Sequence, residues 1–265
     1  TFLHCDYNPS FNEKATEPID KNLTEFSELI KIKKNIAAGL ATDGDADRIG
    51  LYNSKGEFVD SHHIILLLLL YLHKYKKLKG KVVVAASTTP RVVKLAEKWG
   101  LDHDTVKVGF KYIAGQMVTE DVLIGGEESG GIAIKGHIPE RDGIWMGLVL
   151  FEYMATSGKS LEELINEVYE LVGEFKYCRD DLHLDEKLKN SIVKKCNNNE
   201  FSSFGEYKVI KVDKTDGFKF ILKDDQWLMI RPSGTEPVLR CYAESKDLDG
   251  AKAILAACKT AIGVS

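Results

Sequence analysis

The sequence lacks any paired cysteine spacing: Cys5, Cys178, Cys196, Cys241 and Cys258 lie far apart, which excludes a zinc knuckle and a disulfide framework. A reducing, cytoplasmic compartment fits that usage. It also lacks a long apolar run. The longest, Ile64 to Leu72, is nine residues flanked by His62, His63 and His73, well short of the roughly 20 that cross a bilayer, so it reads as a buried helix and no membrane partner is expected. Basic residues are not clustered: 36 Lys+Arg stand against 40 Asp+Glu, a net charge of −4, which leaves no electrostatic footprint for nucleic acid. A small polar ligand is the better expectation. Residue 1 is Thr and no basic-then-apolar leader follows, so no signal peptide is expected, and the chain reads as beginning partway through a longer protein.

What is present is a globular composition, 44% hydrophobic and 29% charged over 265 residues, enough for more than one core and incompatible with disorder, collagen or coiled coil. Residues 1 to 22 are polar and irregular. Thr24 is positioned to cap a helix running to about Asn35, and a strand from Ile36 to Ala41 follows. The run Asp43-Gly-Asp-Ala-Asp-Arg48 separates it from a second strand, Ile49 to Asn53, which ends at the Ser54-Lys55-Gly56 turn.

From about residue 60 helices and strands alternate. The pattern predicts helix 61–77, strand Val82 to Ala86, helix 90–99 ended by Gly100, strand 105–108, helix 110–120 and strand Val122 to Ile124. Such alternation predicts an α/β unit with a mixed, largely parallel sheet and crossover helices. Helices at about 143–156 and 160–172 close it, the second opened by Ser160 with Glu163 three residues on as a capping box. After Gly173 the order becomes strand 174–181, helix 185–195, strands near 207–212, 217–222, 226–231 and 238–244, and helix 247–261. Consecutive strands without crossover helices predict a C-terminal α+β domain with an antiparallel sheet.

Three loops carry chemistry. Asp43, Asp45 and Asp47, spaced two apart in an extended loop, can turn their carboxylates to one side, where they repel unless a cation sits among them. A hard, oxygen-loving ion that keeps sites for water or phosphate, Mg²⁺, suits them, and Arg48 can hold the same phosphate. An EF-hand is excluded, because its sixth and twelfth positions would be Arg48 and Ser54 in place of Gly and Glu. A solvated acidic turn is the plain alternative.

The second loop, Arg231-Pro-Ser-Gly-Thr-Glu-Pro-Val-Leu-Arg240, offers two guanidinium forks, two hydroxyls and glycine-permitted backbone N–H donors, the inventory of a phosphate cradle. It lacks the lysine of G-x-x-x-x-G-K-[ST] and so is no nucleotide P-loop. A hairpin turn is the alternative. The third, Gly125-Gly-Glu-Glu-Ser-Gly-Gly131, follows a strand, where open α/β sheets place ligand loops, and Glu127, Glu128 and Ser129 can bond sugar hydroxyls. Lys111, His137 and Arg141 add cationic candidates. Ser61-His62-His63 reads as structural, because neighbours at a helix start point apart. His4, His73, His103 and His183 have no metal-ligand spacing.

In this order and separation the three loops resemble those of the α-D-phosphohexomutase family, the phosphoglucomutases and phosphomannomutases, over nearly the whole chain. Asp43 to Arg48 is similar to the family's magnesium loop, Gly126 to Gly130 to its sugar-recognition loop, and Arg231 to Arg240 to its phosphate-binding loop. The resemblance implies four domains, of which this chain holds the tail of the second (1–57), the third (58–172) and the fourth (173–265). It implies interconversion of sugar 1- and 6-phosphates through a phosphoserine and a bisphosphorylated sugar, with glucose 1,6-bisphosphate as activator and intermediate.

The resemblance further implies Asp43, Asp45 and Asp47 as Mg²⁺ ligands and Arg48, Lys111 and His137 as catalytic groups. Glu127, Ser129, Arg141, Arg231, Ser233, Gly234, Thr235 and Arg240 are the implied substrate contacts. The reactive serine belongs to the first domain, and no Thr-Ala-Ser-His-Asn-Pro-like motif occurs here, so the chain is expected to be a fragment inactive without its missing N-terminal domains. Gly-Glu-Glu-Ser favours glucose over the Gly-Glu-Gln-Ser-Gly-His pattern of many mannose- and glucosamine-type members; phosphopentomutase-like or dual glucose/mannose specificity is the alternative. Two other classes remain: a non-catalytic phosphosugar-binding module, and a magnesium-dependent phosphatase with an Asp nucleophile.

Overall fold

A computed structural model describes residues 1–233 and 237–264. The chain divides between Val172 and Gly173 into two units, each with its own core. Among the described residues no helix is long and apolar enough to cross a membrane.

The first unit begins with helix α1 (Thr24–Lys33), whose N-cap position is held by Leu23 without a side-chain bond. Thr24 is therefore the first helical residue and not the cap its hydroxyl suggested. Strands β1 (Ala38–Thr42), β2 (Ile49–Asn53) and β3 (Phe58–Val59) form an antiparallel sheet in sequence order. Pairing of Thr42 with Ile49 puts residues 43–48 at the tip of the β1–β2 hairpin.

Helix α2 (Ser61–Leu70) is buried at all ten positions, which is why its apolar run shows no helical stripe. It continues into a π-helical turn, Tyr71–Tyr75. Asp60 caps it, its side chain accepting from the His63 N–H. Around it lie β4 (Lys81–Ala85), α3 (Pro90–Lys98), β5 (His103–Val106), α4 (Phe110–Thr119), β6 (Val122–Gly126) and β7 (Ile132–Ile134). The sheet order is β5-β4-β6-β7, parallel between β4 and both its neighbours and antiparallel between β6 and β7. Strands β3 and β7 are elements the sequence pattern did not predict.

Helices α5 (Gly143–Ser157) and α6 (Leu161–Val172) complete the unit. A Cβ at Gly147 would lie 2.5 Å from the Leu40 side chain, so the glycine lets α5 press onto β1. The Ser160–Glu163 box forms in both directions, Ser160 N–H to Glu163 at 2.8 Å and Glu163 N–H to the Ser160 hydroxyl at 3.2 Å.

The second unit contains β8 (Lys176–His183), α7 (Glu186–Asn197), a short hairpin of β9 (Ser203–Phe204) and β10 (Tyr207–Lys208), then β11 (Lys211–Asp213), β12 (Phe218–Ile221), β13 (Trp227–Pro232), β14 (Val238–Ser245) and α8 (Leu248–Ile262). The strand expected over 207–212 is split between β10 and β11. Five strands run antiparallel in the order β11-β12-β13-β14-β8. Their inner face, with Phe220, Leu228, Ile230 and Leu239, closes a core with Ile192 of α7 and Ile254 and Leu255 of α8. The architecture is thus mixed α/β with a partly parallel sheet, followed by an antiparallel α+β unit.

Candidate functional site

At the tip of the β1–β2 hairpin, Asp43, Asp45 and Asp47 offer carboxylate oxygens that all lie within 4.8 Å of one another. Ala46 takes a left-handed conformation (φ 60°), and its N–H bonds the Asp43 carbonyl at 3.2 Å, which tightens the tip and gathers the acids. Asp43 is buried, Asp45 exposed and Asp47 between.

Arg48 closes the loop from the other side. Its backbone N–H donates to Asp43 Oδ1 at 3.1 Å and its Nε to Asp43 Oδ2, while Asp47 Oδ1 lies 3.7 Å from the same Nε. Burial pushes the Asp43 carboxyl up, but the side chain and backbone N–H of Arg48 outweigh it and hold the group below the ordinary range. Asp47 moves the opposite way. Burial raises it first, Arg141 opposes, and the charges of Asp43 and Asp45 add to the rise. Asp47 thus senses the surplus negative charge of its neighbours. An all-carboxylate, hard-oxygen donor set with that surplus fits a small divalent cation such as Mg²⁺.

Arg141 connects this loop to the next. Its Nη2 meets Asp47 Oδ2 at 2.6 Å, and its guanidinium lies 5.4 Å from the Phe110 ring at the start of α4. It passes over Gly131, where a Cβ would be 2.4 Å from Arg141 Cδ. Gly130 has φ 94°, and a Cβ there would stand 2.6 Å from the Ile49 carbonyl. The backbones are joined directly: Ile49 N–H bonds the Gly130 carbonyl at 3.1 Å, and Arg48 bridges to Gly131. Gly143 N–H adds a bond to the Ala46 carbonyl at 2.9 Å.

The loop between β6 and β7 is held from both sides. Glu127, 4% exposed, accepts the Gly109 N–H at 2.8 Å, capping α4 where the helix dipole favours an anion. Glu128 accepts the Ser87 hydroxyl at 2.7 Å, and its carbonyl accepts the Ser61 hydroxyl. Ser129 is partly exposed. Lys111, exposed on the first turn of α4, carries its ammonium 5.1 Å from the Tyr112 ring centre. His137 bonds Asp142 Oδ2 through Nε2 at 2.8 Å and stacks on Trp145 with centroids 4.6 Å apart.

In the second unit Arg231 and Arg240 stand directly opposite each other in the β13–β14 register, and Arg240 is in turn opposite Asp181 on β8. Arg231 Nε bonds Asp216 Oδ2 at 3.1 Å. Arg179 grips Asp181 with two bonds of 2.9 Å, and Arg240 Nε lies 4.0 Å from the same carboxylate. Burial lowers Arg231, but the Asp216 charge and hydrogen bond carry it above its ordinary value. Ser233, buried, bonds the Val238 carbonyl through its N–H at 2.9 Å. Gly234 and Thr235 lie outside the described residues.

The structure therefore brings Asp43, Asp45, Asp47, Arg48 and Arg141 together with the Glu127 loop in one unit, and Arg231 with Arg240 in the other. Sequence reasoning passed over Asp142, Asp216, Asp181, Ser87 and Phe110. Only Asp142 had a signal, an acid placed as an N-cap before the apolar run of α5.

The profile described as phosphoglucomutase/phosphomannomutase, alpha/beta/alpha domain III, matches residues 60–172, and that of the phosphoglucomutase/phosphomannomutase C-terminal domain matches residues 188–260. A phosphoglucomutase/phosphomannomutase of Thermococcus kodakarensis is 31% identical over 92% of this chain and 51% of its own length. A phosphoglucosamine/phosphogalactosamine mutase of Sulfurisphaera tokodaii is 32% identical over 92% of this chain and 52% of its own. The crystal structure assigned to a Thermus thermophilus phosphomannomutase superposes with a TM-score of 0.81 at 31% identity, covering 97% of this chain and 53% of that one. The chain spans about half the length of the relatives it matches.

Proposed function

The chain belongs to the phosphoglucomutase/phosphomannomutase family, and from that premise we propose that the full-length protein is a phosphohexomutase, interconverting glucose 1-phosphate and glucose 6-phosphate through a phosphoserine and glucose 1,6-bisphosphate. In this reading residues 1–57 are the tail of its second domain, 58–172 its third and 173–265 its fourth, and the serine lies in a segment outside the 265 residues. The chain alone then binds ligands without turning over, in a cytoplasmic setting.

The observation that carries the proposal is the convergence of three carboxylates whose oxygens lie within 4.8 Å of one another, cross-braced by Arg48 and Arg141 to the Glu127 loop. Asp43, Asp45 and Asp47 would hold Mg²⁺, which when bound neutralises charge on the phosphoryl group in transfer. Arg48 keeps Asp43 ionised and in place, and Arg141 orients Asp47 and opposes the rise that burial and its acidic neighbours impose. Glu127 and Ser129 read sugar hydroxyls, a role for which Glu127 exchanges or shares its bond to Gly109. Arg231, Ser233, Gly234, Thr235 and Arg240 hold the phosphate that is not being transferred, two opposed guanidiniums being suited to a dianion. Lys111 supplies charge near the transferred group and His137 moves a proton. A second reading, an amino-sugar phosphate as substrate, is supported by the aminosugar mutases among the relatives.

The test is conversion of glucose 1-phosphate by the full-length protein with Mg²⁺ and a trace of glucose 1,6-bisphosphate, beside the mannose, glucosamine and ribose 1-phosphates. Faster turnover of glucose is expected. Steady phosphate release without isomerisation, or ligand binding alone, would overturn the proposal in favour of a phosphatase or a binding module.

A further inference from the structure

Asp142 performs two tasks with its two oxygens. Oδ1 accepts the Trp145 N–H at 2.8 Å as the N-cap of α5, and Oδ2 meets His137 Nε2 at 2.8 Å. Burial raises this carboxyl, but the Trp145 N–H and the His137 imidazole outweigh it and keep the group ionised. An ionised carboxylate only accepts, so the neutral imidazole must place its proton on Nε2 and its lone pair on Nδ1. The ring plane is fixed as well, since His137 lies within 14° of parallel to the Trp145 indole. Among the described residues Nδ1 has no hydrogen-bond partner, and the side chain is 23% exposed. The segment is anchored beside the metal loop by the bond from Gly143 N–H to the Ala46 carbonyl, and to β7 by the bond from Asp142 N–H to the Ile132 carbonyl at 3.4 Å.

We propose that Asp142 is a positioning residue that locks His137 in the Nε2–H tautomer, so that Nδ1 is the atom through which this histidine takes and returns a proton. The working step builds on the catalytic reading of His137 given above. In that step Nδ1 accepts the proton of a sugar hydroxyl as the hydroxyl oxygen bonds to phosphorus and the bond from phosphorus to the serine oxygen breaks, giving an imidazolium held by Asp142 while the serine oxygen takes a proton from water that it gives back in the second half-reaction. The same nitrogen returns the proton to the leaving oxygen in the second half-reaction, so no net proton is consumed.

The helix cap makes the test sharp. In Asp142→Asn the side-chain oxygen must stay on the Trp145 N–H, which turns the amide NH₂ toward His137 Nε2. Two donors cannot face each other, so the histidine must move its proton to Nδ1. Asparagine is as good an N-cap as aspartate, so the variant keeps its fold.

In ¹⁵N-histidine-labelled full-length protein, with the resonance assigned through His137→Gln, Nδ1 is expected at the shift of an unprotonated ring nitrogen in the wild type and of a protonated one in Asp142→Asn. Turnover should fall about 10²- to 10⁴-fold in that variant with the KM little changed, the upper figure being the known loss when a protease histidine is left in the wrong tautomer. A protonated Nδ1 in the wild type, or an unchanged tautomer in Asp142→Asn, would overturn the proposal. If His137→Gln retained full turnover, the catalytic reading of His137 would fail instead, while the tautomer measurement would still stand or fall by itself.

Discussion

The hairpin tip of the first unit and the β13–β14 rim of the second are built on opposite plans. The first gathers three acids and spreads two arginines around them, Arg48 on Asp43 and Arg141 on Asp47. The second sets two arginines face to face and gives each an acid on its outer side, Asp216 for Arg231 and Asp181 for Arg240. In the first the surplus charge at the centre is negative, and burial together with the charges of Asp43 and Asp45 raises Asp47 against the pull of Arg141. In the second it is positive. In the proposed function a cation belongs in one and an anion in the other, and the counter-charges stand at the edges of both, where they orient the central groups.

The two regions also differ in how they are braced. The acidic loop is tied by backbone bonds to the Gly130–Gly131 turn and to Gly143. The arginine row is placed by strand register, with Asp216 and Asp181 beside its side chains.

That contrast can be broken most severely at the acidic loop. Replacing Asp45, the most exposed of the three acids, by Asn in the full-length protein should lower turnover by roughly 10³-fold while leaving the melting temperature almost unchanged, since several kcal/mol of charge stabilisation in the transition state depend on a bound metal. Steady-state kinetics beside thermal unfolding check it. At the arginine row, Arg240→Ala should weaken substrate binding about 10- to 100-fold, seen mainly as a higher KM, because a charge-assisted contact is worth a few kcal/mol. Arg240→Lys should recover only part of it, a point charge replacing a fork.

Gly130→Ala separates bracing from charge. The left-handed backbone and the 2.6 Å approach to the Ile49 carbonyl predict a loss of about 2–3 kcal/mol of stability, measured by denaturant unfolding, although no charged group is touched. The smallest effect is at Asp60, whose neighbour Ser61 holds the Glu128 carbonyl. Burial raises Asp60, but the charge and hydrogen bond of His63 depress it well below its unfolded value. A depressed carboxyl stabilises the fold above the unfolded value near 3.9 and loses that contribution as pH falls through the folded one. Asp60→Asn, which keeps the N-cap bond, should therefore cost about 1–2 kcal/mol at neutral pH and flatten the acid limb, so that the variant and the wild type converge in stability as pH falls below about 4.

Much of this was legible in the residues. The alternation after residue 60, the consecutive strands after 173 and the Ser160–Glu163 box all follow from local periodicity and capping chemistry, which a single window of sequence contains. The acidic triplet was legible because its spacing is local. Strand β7 was not, because three residues between glycines carry no alternation to read. The tie from Arg141 to Asp47 was hidden for a different reason: it depends on the fold bringing two distant loops to one side of Gly131. The acids behind Arg231 and Arg240 were missed likewise, since cross-strand neighbours are set by register and not by spacing along the chain. Thr24 misled because a hydroxyl beside a helix start is a cap only when the backbone places it one residue earlier.

The most direct test of the opposed-charge account is a calorimetric titration of the full-length protein with Mg²⁺, comparing wild type, Asp45→Asn and Arg240→Ala. The account predicts one Mg²⁺ site, lost in Asp45→Asn and kept in Arg240→Ala. An unchanged isotherm in Asp45→Asn would contradict it.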